Sequence, residues 1–202
     1  MDHFPCNRST NPRRTLHEIP NKLYNNIKDA ASYFLHSQHT TSQFEEEIPS
    51  DLDKLWSTST FCSSCLLQER NKNYIDWRTL GDEDKKANFF ILRNKKNDDF
   101  LGYVTYYIDD STNNVLVVDF FSKDESRSLK SLFSSFVFNI RNKKINSISL
   151  EFLGMNSISK IIESSGFKFR DERPMFYVFN ENTSRDIKES EWFLTSWDED
   201  AV

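Results

Sequence analysis

Asp119 is the first residue whose setting suits chemistry. It follows Val115, Leu116, Val117 and Val118 in the run VLVVDFF. Apolar surroundings favour the neutral acid and raise a carboxylate's pKa, which suits proton transfer. The competing reading is a strand-end carboxylate that hydrogen-bonds the next helix. Glu151, in SLEFL, is a second candidate of the same kind. Arg70, Tyr74, Trp77 and Arg78 form another group. On a helix Tyr74, Trp77 and Arg78 lie at i, i+3 and i+4 and share a face. Such a face walls a substrate site when its rings stack on a sugar or base and its guanidinium binds a carboxylate or phosphate. The same face can equally pack on a sheet, with Arg78 paired to an acid.

Other chemistries find little footing. Cys62 and Cys65 make a lone CxxC, and Cys6 is the third cysteine. Structural zinc wants four ligands, so ordinary thiols are expected, ahead of a redox pair or a metal site. His3, His17, His36 and His39 all precede residue 40, and no GxSxG, HExxH, Walker lysine loop or GxGxxG occurs. Lys plus Arg is 26 against 31 Asp plus Glu, a net charge of −5, which argues against a general nucleic-acid or anionic-membrane binder. No segment approaches the ~20 apolar residues of a membrane helix. Charges and prolines stand where a signal peptide has its apolar core, so a cytoplasmic location is expected.

The elements that must position these residues are legible from residue 20 onward. Residues 1–20, with Pro5, Pro12, Pro20 and Arg13–Arg14, read as a polar tail or linker. Leu23, Ile27, Ala30, Ala31, Phe34 and Leu35 have helical spacing, ending near Ser37. Gln43 to Ile48 reads as a short strand, and Ser50 as an N-cap for DLDKLW. Leu66–Leu67 is a brief extended stretch and Asn71 to Leu80 a helix. Asn88–Arg93, Phe100–Ile108 and Val115–Phe121 read as strands of an antiparallel meander, since KKNDD and DDSTNN between them are turn chemistry. Leu129, Leu132, Phe133, Phe136, Val137 and Ile140 then make one apolar stripe on a helix over 124–143. Ile145–Phe152 is a strand and Asn156 to Ser164 a helix closed by Gly166. Phe167–Arg170 and Met175–Phe179 are two more strands, separated by Pro174. The fold class is α/β, a mixed sheet flanked by helices. The expected divisions are 1–41 (tail and helix), 42–182 (domain) and 183–202 (tail).

This order of elements resembles the GCN5-related N-acetyltransferase (GNAT) fold over about residues 42–180. FLGYVTYYIDDSTNNVLVVDFF looks like the family's central hairpin, and INSISLEFLGMNSISKIIESSGFKF like its strand, helix, Gly-Phe, strand unit. ERNKNYIDWR and the closing WFLTSWDED resemble a GNAT-like subgroup in which the domain is commonly the C-terminal half of a tandem pair.

The resemblance implies acyl transfer from acetyl-CoA or another acyl-CoA to an amine or hydroxyl. It implies Asp119 as base, with Glu151 as second candidate. It implies a splayed strand end at Phe120–Phe121 that admits the cofactor. The pyrophosphate would lie on the backbone near Ser126, Arg127, Ser128 and Leu129, aided by Lys123. Tyr74, Trp77 and Arg78 would face the substrate, and the partner would be a second GNAT-like domain or another copy.

Two departures stand out. Ser122 to Leu132 contains none of the family's glycines, and Asp124 and Glu125 bring negative charge to the helix start. At ~4 Å and an effective dielectric near 20, a facing charge opposes a phosphate by roughly 4 kcal/mol before screening. Counting four back from Gly166, where the family often has a tyrosine acid, gives Ile162, which has no proton to donate. The alternative to an enzyme is therefore a non-catalytic GNAT-like module that binds a ligand or packs against a complete acetyltransferase domain.

Overall fold

The computed structural model describes residues 10–17, 24–61, 65–80, 86–176 and 192–198. In chain order these form β1 (Thr10–His17), α1 (Tyr24–His36), β2 (Thr40–Glu45), α2 (Leu52–Thr58), β3 (Leu66–Leu67), α3 (Lys72–Leu80), β4 (Asn88–Asn94) and β5 (Phe100–Asp109). There follow β6 (Asn114–Ser122), α4 (Ser128–Arg141), β7 (Ser147–Gly154), α5 (Asn156–Ser164), β8 (Lys168–Phe176), β9 (Trp192–Thr195) and a 3-10 turn, Ser196–Asp198.

One mixed sheet carries the strands in the order β2-β4-β5-β6-β7-β1-β8, and β9 pairs with β7 and β3. The expected meander is present: β4, β5 and β6 pair antiparallel. β6 and β7 are parallel, joined through α4. The apolar stripe of α4 lies on the sheet, and Leu129, Leu132, Phe133, Phe136, Val137 and Ile140 are all buried. Val117, Ile148, Leu150 and Phe167 join them, as the spacing predicts. Gly166 has φ 103°, the left-handed conformation that closes α5.

Several expectations shift. The strand expected at Gln43–Ile48 runs instead over Thr40–Glu45, because Thr40 and Thr41 extend the pairing to Asn94 and Arg93. Ser50 does not cap α2; Asp51 occupies the cap position, and its carboxylate is held by Arg93 through two 2.9 Å bonds. The two strands expected around Pro174 are one. Pro174 is in register with Pro12 of β1, and an outer strand tolerates a residue without an N–H. Residues 177–179 of the expected second strand lie outside the described residues. Cys65 is disulfide-bonded rather than a free thiol.

The largest difference is at the chain's two ends. β1, in the expected tail, lies between β7 and β8 and pairs with both. β9, in the expected C-terminal tail, runs antiparallel to β7 at Phe152–Gly154. Short polar segments carry no periodicity of their own. The open edges of β7 supply the backbone partners that make them strands.

A β-bulge interrupts β6 at its middle. Thr105 pairs with Asp119 and Tyr106 with Val117, so Val118 is an extra residue on β6. The β6–β7 ladder ends there, its last pair being Val117 and Leu150. Beyond this point β6 and β7 diverge, because a bulge bends its strand and disrupts pairing.

Candidate functional site

The divergence of β6 and β7 is a wedge at the C-terminal end of the parallel pair, beside the start of α4. β9 occupies it. Phe193 is fully buried there, with ring centroids 5.1 Å from Phe61 and Phe120 and 5.4 Å from Phe152. The edge of β7 from Phe152 to Gly154 already has a backbone partner in β9. The approach is close: a Cβ on Gly154 would stand 2.5 Å from the Trp192 carbonyl oxygen.

Asp119 lies at the bulge, with no solvent exposure. Its Oδ2 accepts a 2.8 Å hydrogen bond from the Tyr103 hydroxyl. Its Oδ1 accepts from the Thr195 hydroxyl at 2.9 Å and from Arg70 Nε at 3.3 Å. Arg70 is itself fully buried, and its Nη2 reaches Asp198 Oδ2 at 2.5 Å. Arg70 Nη1 donates to the Gln68 carbonyl at 2.9 Å. The Thr195 N–H donates to Asp198 Oδ2 at 2.8 Å. Burial raises the Asp119 pKa against the opposing pull of Arg70. Burial alone would lower the Arg70 pKa, but Asp119 and Asp198 outweigh it and the guanidinium is held charged. Burial, reinforced by Asp119, pushes the Tyr103 phenol well above its usual value. The group clasps the C-terminal segment onto β6, and Asp119 and Arg70 have no solvent exposure.

The start of α4 is equally committed. Asp124 Oδ1 accepts from the backbone N–H groups of Ser126, Arg127 and Ser128 at 3.1, 2.7 and 3.2 Å. Its Oδ2 takes the Ser128 hydroxyl at 2.5 Å. The Leu129 N–H goes to the Asp124 carbonyl at 3.3 Å. Partial burial works to raise the Asp124 pKa, but these donors prevail and lower it. A carboxylate of the chain thus sits on the N–H groups that the GNAT resemblance assigns to a pyrophosphate. The sequence shows an acid at the helix start; the fold seats its carboxylate on that helix's own N–H groups.

The remaining candidates scatter. Phe120 and Phe121 are buried in the core. The Lys123 backbone is tied to Leu101 and Thr60. Glu151 is half-buried and accepts the Ser196 hydroxyl at 3.4 Å. Tyr74 is buried and donates to the Trp197 carbonyl at 3.2 Å, with burial raising its pKa to about 12. Trp77 is 58% exposed, with the Arg78 guanidinium 4.6 Å from its ring centroid. A cleft of about 360 Å3 lies between the start of α4 and α5, lined by Glu125, Ser126, Lys130, Ser157, Lys160, Ile161 and Ser164. Among the described residues no cluster of His, Cys, Asp and Glu could hold a metal ion, and no helix is long and apolar enough to cross a membrane.

Sequence reasoning did not find Tyr103 and Thr195 as partners of Asp119, nor Asp198 as the partner of Arg70. The one signal for Thr195 and Asp198 is the acidic and aromatic tail WFLTSWDED, which resembles the subgroup's tail.

No protein-family model matches the sequence, and neither does any curated protein. Solved structures match in fold. The C-terminal domain of a lysylphosphatidylglycerol synthetase from Agrobacterium fabrum is 14% identical, with a TM-score of 0.53 over 83% of this chain and 60% of that one. A GCN5-related N-acetyltransferase-like protein from Streptococcus suis is 10% identical, with a TM-score of 0.50 over 87% of this chain and 64% of its own. A GCN5-related glucosamine N-acetyltransferase region of a fungal multi-domain β-N-acetylglucosaminidase is 10% identical, with a TM-score of 0.51 over 84% of this chain. This chain spans 21% of that protein's length. The chain therefore has the GNAT fold, and it spans less than two thirds of each of these structures.

Proposed function

We propose that this chain is a GNAT-like binding or structural module that does not transfer acyl groups from CoA at the fold's usual cleft. The observation that carries this reading is Asp124. Its carboxylate already accepts the N–H groups of Ser126, Arg127 and Ser128. A pyrophosphate would have to displace one anion with another. β9 supports the same reading, because it pairs with the β7 edge that a pantetheine arm would need. Asp119 supports it too: as a buried partner of Arg70 it positions the C-terminal segment and lacks access to an acceptor amine. The structural neighbours include a C-terminal domain and a region of a multi-domain protein, which fits a second domain as partner.

A second reading, a weakened acyl-CoA-dependent acyltransferase, draws on the cleft between α4 and α5. Lys130 and Lys160 line it beside Ser126, and paired cations suit a phosphorylated cofactor. Asp119 would serve as base there only after the C-terminal segment moved.

Calorimetric titration with acetyl-CoA separates the two. The parent chain should show no binding up to millimolar ligand. The double variant Asp124→Ser, Glu125→Gly frees the N–H groups and should leave binding absent, because the wedge remains filled. Micromolar binding by the parent overturns the module reading. Binding by the double variant alone shows a suppressed acyl-CoA site and favours the acyltransferase.

A further inference from the structure

We propose that the cleft between the α1–β2 turn and the β4–β5 turn binds a phosphate-type anion carried by a phosphorylated ligand. The cleft measures about 320 Å3 and is lined by Gln38, His39, Asn94, Lys95, Lys96 and Arg127. Each of these side chains supplies N–H donors, and none is a carboxylate. Lys95, Lys96 and Arg127 make no ion pair among the described residues. The neighbouring acids are engaged elsewhere. Asp51 holds Arg93, Asp98 is exposed with its carboxylate 3.9 Å from the same guanidinium, Asp99 holds Lys54 and Asn97, and Asp124 caps α4. Uncompensated positive charge therefore faces one concavity in a chain whose net charge is −5.

The walls are tied together before any ligand arrives. The Lys95 N–H donates to the His39 carbonyl at 2.9 Å, joining the two turns. Within the β4–β5 turn, Asn94 N–H reaches Asp99 O at 2.8 Å and Asp98 N–H reaches Asn94 O at 2.9 Å. Asn94 Oδ1 accepts the Lys96 N–H at 2.9 Å, which fixes the amide and leaves its Nδ2 donors for a ligand. Carbonyls at the end of α1 would repel an anion, but those of Tyr33 and His36 are taken by the Ser37 N–H and the Ser131 hydroxyl. Two ammonium point charges beside a planar guanidinium suit the oxygens of a phosphate. The cleft shares no lining residue with the one holding Lys130 and Lys160. Arg127 adjoins the helix start that an acyl-CoA pyrophosphate would use, so Lys95 and Lys96, on the β4–β5 turn, are the residues that distinguish this cleft from that one.

Titration of the full chain with inorganic pyrophosphate at low ionic strength tests it. Binding should be saturable and weaken with salt, since the cations are exposed. Lys95→Ala with Lys96→Ala, and separately Arg127→Ala, should each weaken it about tenfold or more, the loss of one or more charge-assisted contacts. Lys130→Ala with Lys160→Ala should leave it unchanged. Absence of saturable binding overturns the proposal. So does an equal loss in the Lys130, Lys160 variant, which would mean that pyrophosphate reads overall charge. Co-sedimentation with phosphatidylcholine vesicles containing phosphatidic acid identifies the source: binding that the Lys95, Lys96 variant abolishes assigns the phosphate to a lipid headgroup, and pyrophosphate binding alone assigns it to a small molecule.

Discussion

Asp124 at the start of α4 and Asp119 buried at the β6 bulge are both acids beside the β6–β7 wedge, yet their surroundings move their pKa values in opposite directions. Burial governs Asp119 and raises it; donors prevail at Asp124 and lower it. The Asp124 shift makes a signed prediction. A carboxylate whose folded pKa is depressed contributes stability above its unfolded value, ~3.9, and loses it as pH falls through the folded value. Asp124→Asn should therefore destabilise the protein by about 1 kcal/mol at neutral pH, the usual scale of a lost helix cap. The difference from the parent should shrink toward zero as pH falls below the unfolded value and then through the lowered folded one, where both chains carry a neutral side chain. Urea titrations across pH read this directly. A constant difference at all pH values would mean that the contribution of Asp124 is shape rather than charge.

Two adjoining elements, the bulged β6 and the inserted β9, decide what the wedge can hold. The extra residue at Val118 opens it, and Phe193 with the β9 backbone fills it. The fit depends on Gly154, where a methyl group would meet both the Trp192 carbonyl at 2.5 Å and the Phe152 ring at 2.6 Å. Both contacts are far inside van der Waals range, and one is with backbone that cannot turn aside. Gly154→Ala should cost on the order of 1–3 kcal/mol, the range for overpacked cores. Hydrogen exchange should show β9 amides losing protection while the β4–β5–β6 meander keeps its own. A neutral substitution would indicate that β9 does not lie against β7 at this distance.

At the scale of the whole molecule, strands from both ends of the chain complete one sheet. The C-terminal segment brings Phe193, Thr195 and Trp197, all buried, and the Asp198 partner of Arg70. A chain truncated before Trp192 leaves Arg70 and Asp119 buried with fewer partners, and removing one member of a buried ion group costs ~3–5 kcal/mol. With the lost aromatic burial, this rivals the ~5–15 kcal/mol that holds a domain folded. The truncated chain should show no cooperative thermal transition, or one far below the parent's, by circular dichroism. A truncated chain that melts like the parent would show that the segment is only an appendage.

Local pattern alone determined the meander, the amphipathic α4, the Gly166 stop and most of the core. Each depends on side-chain periodicity or a single residue's conformational freedom, which a sequence displays. The missing phosphate-loop glycines and the opposing acids were legible for the same reason. The tertiary structure decided the rest. Nothing local marks Thr10–His17 or Trp192–Thr195 as strands, because an edge of β7 supplies their hydrogen-bond partners from more than 35 residues away. Asp119 is read from sequence as an acid in apolar surroundings, and so it is. Its partners come from residues 70, 103 and 195, and only folding makes neighbours of groups so distant along the chain. Whether a buried carboxylate takes up protons or holds a strand depends on those neighbours, so the role of Asp119 is set by the fold.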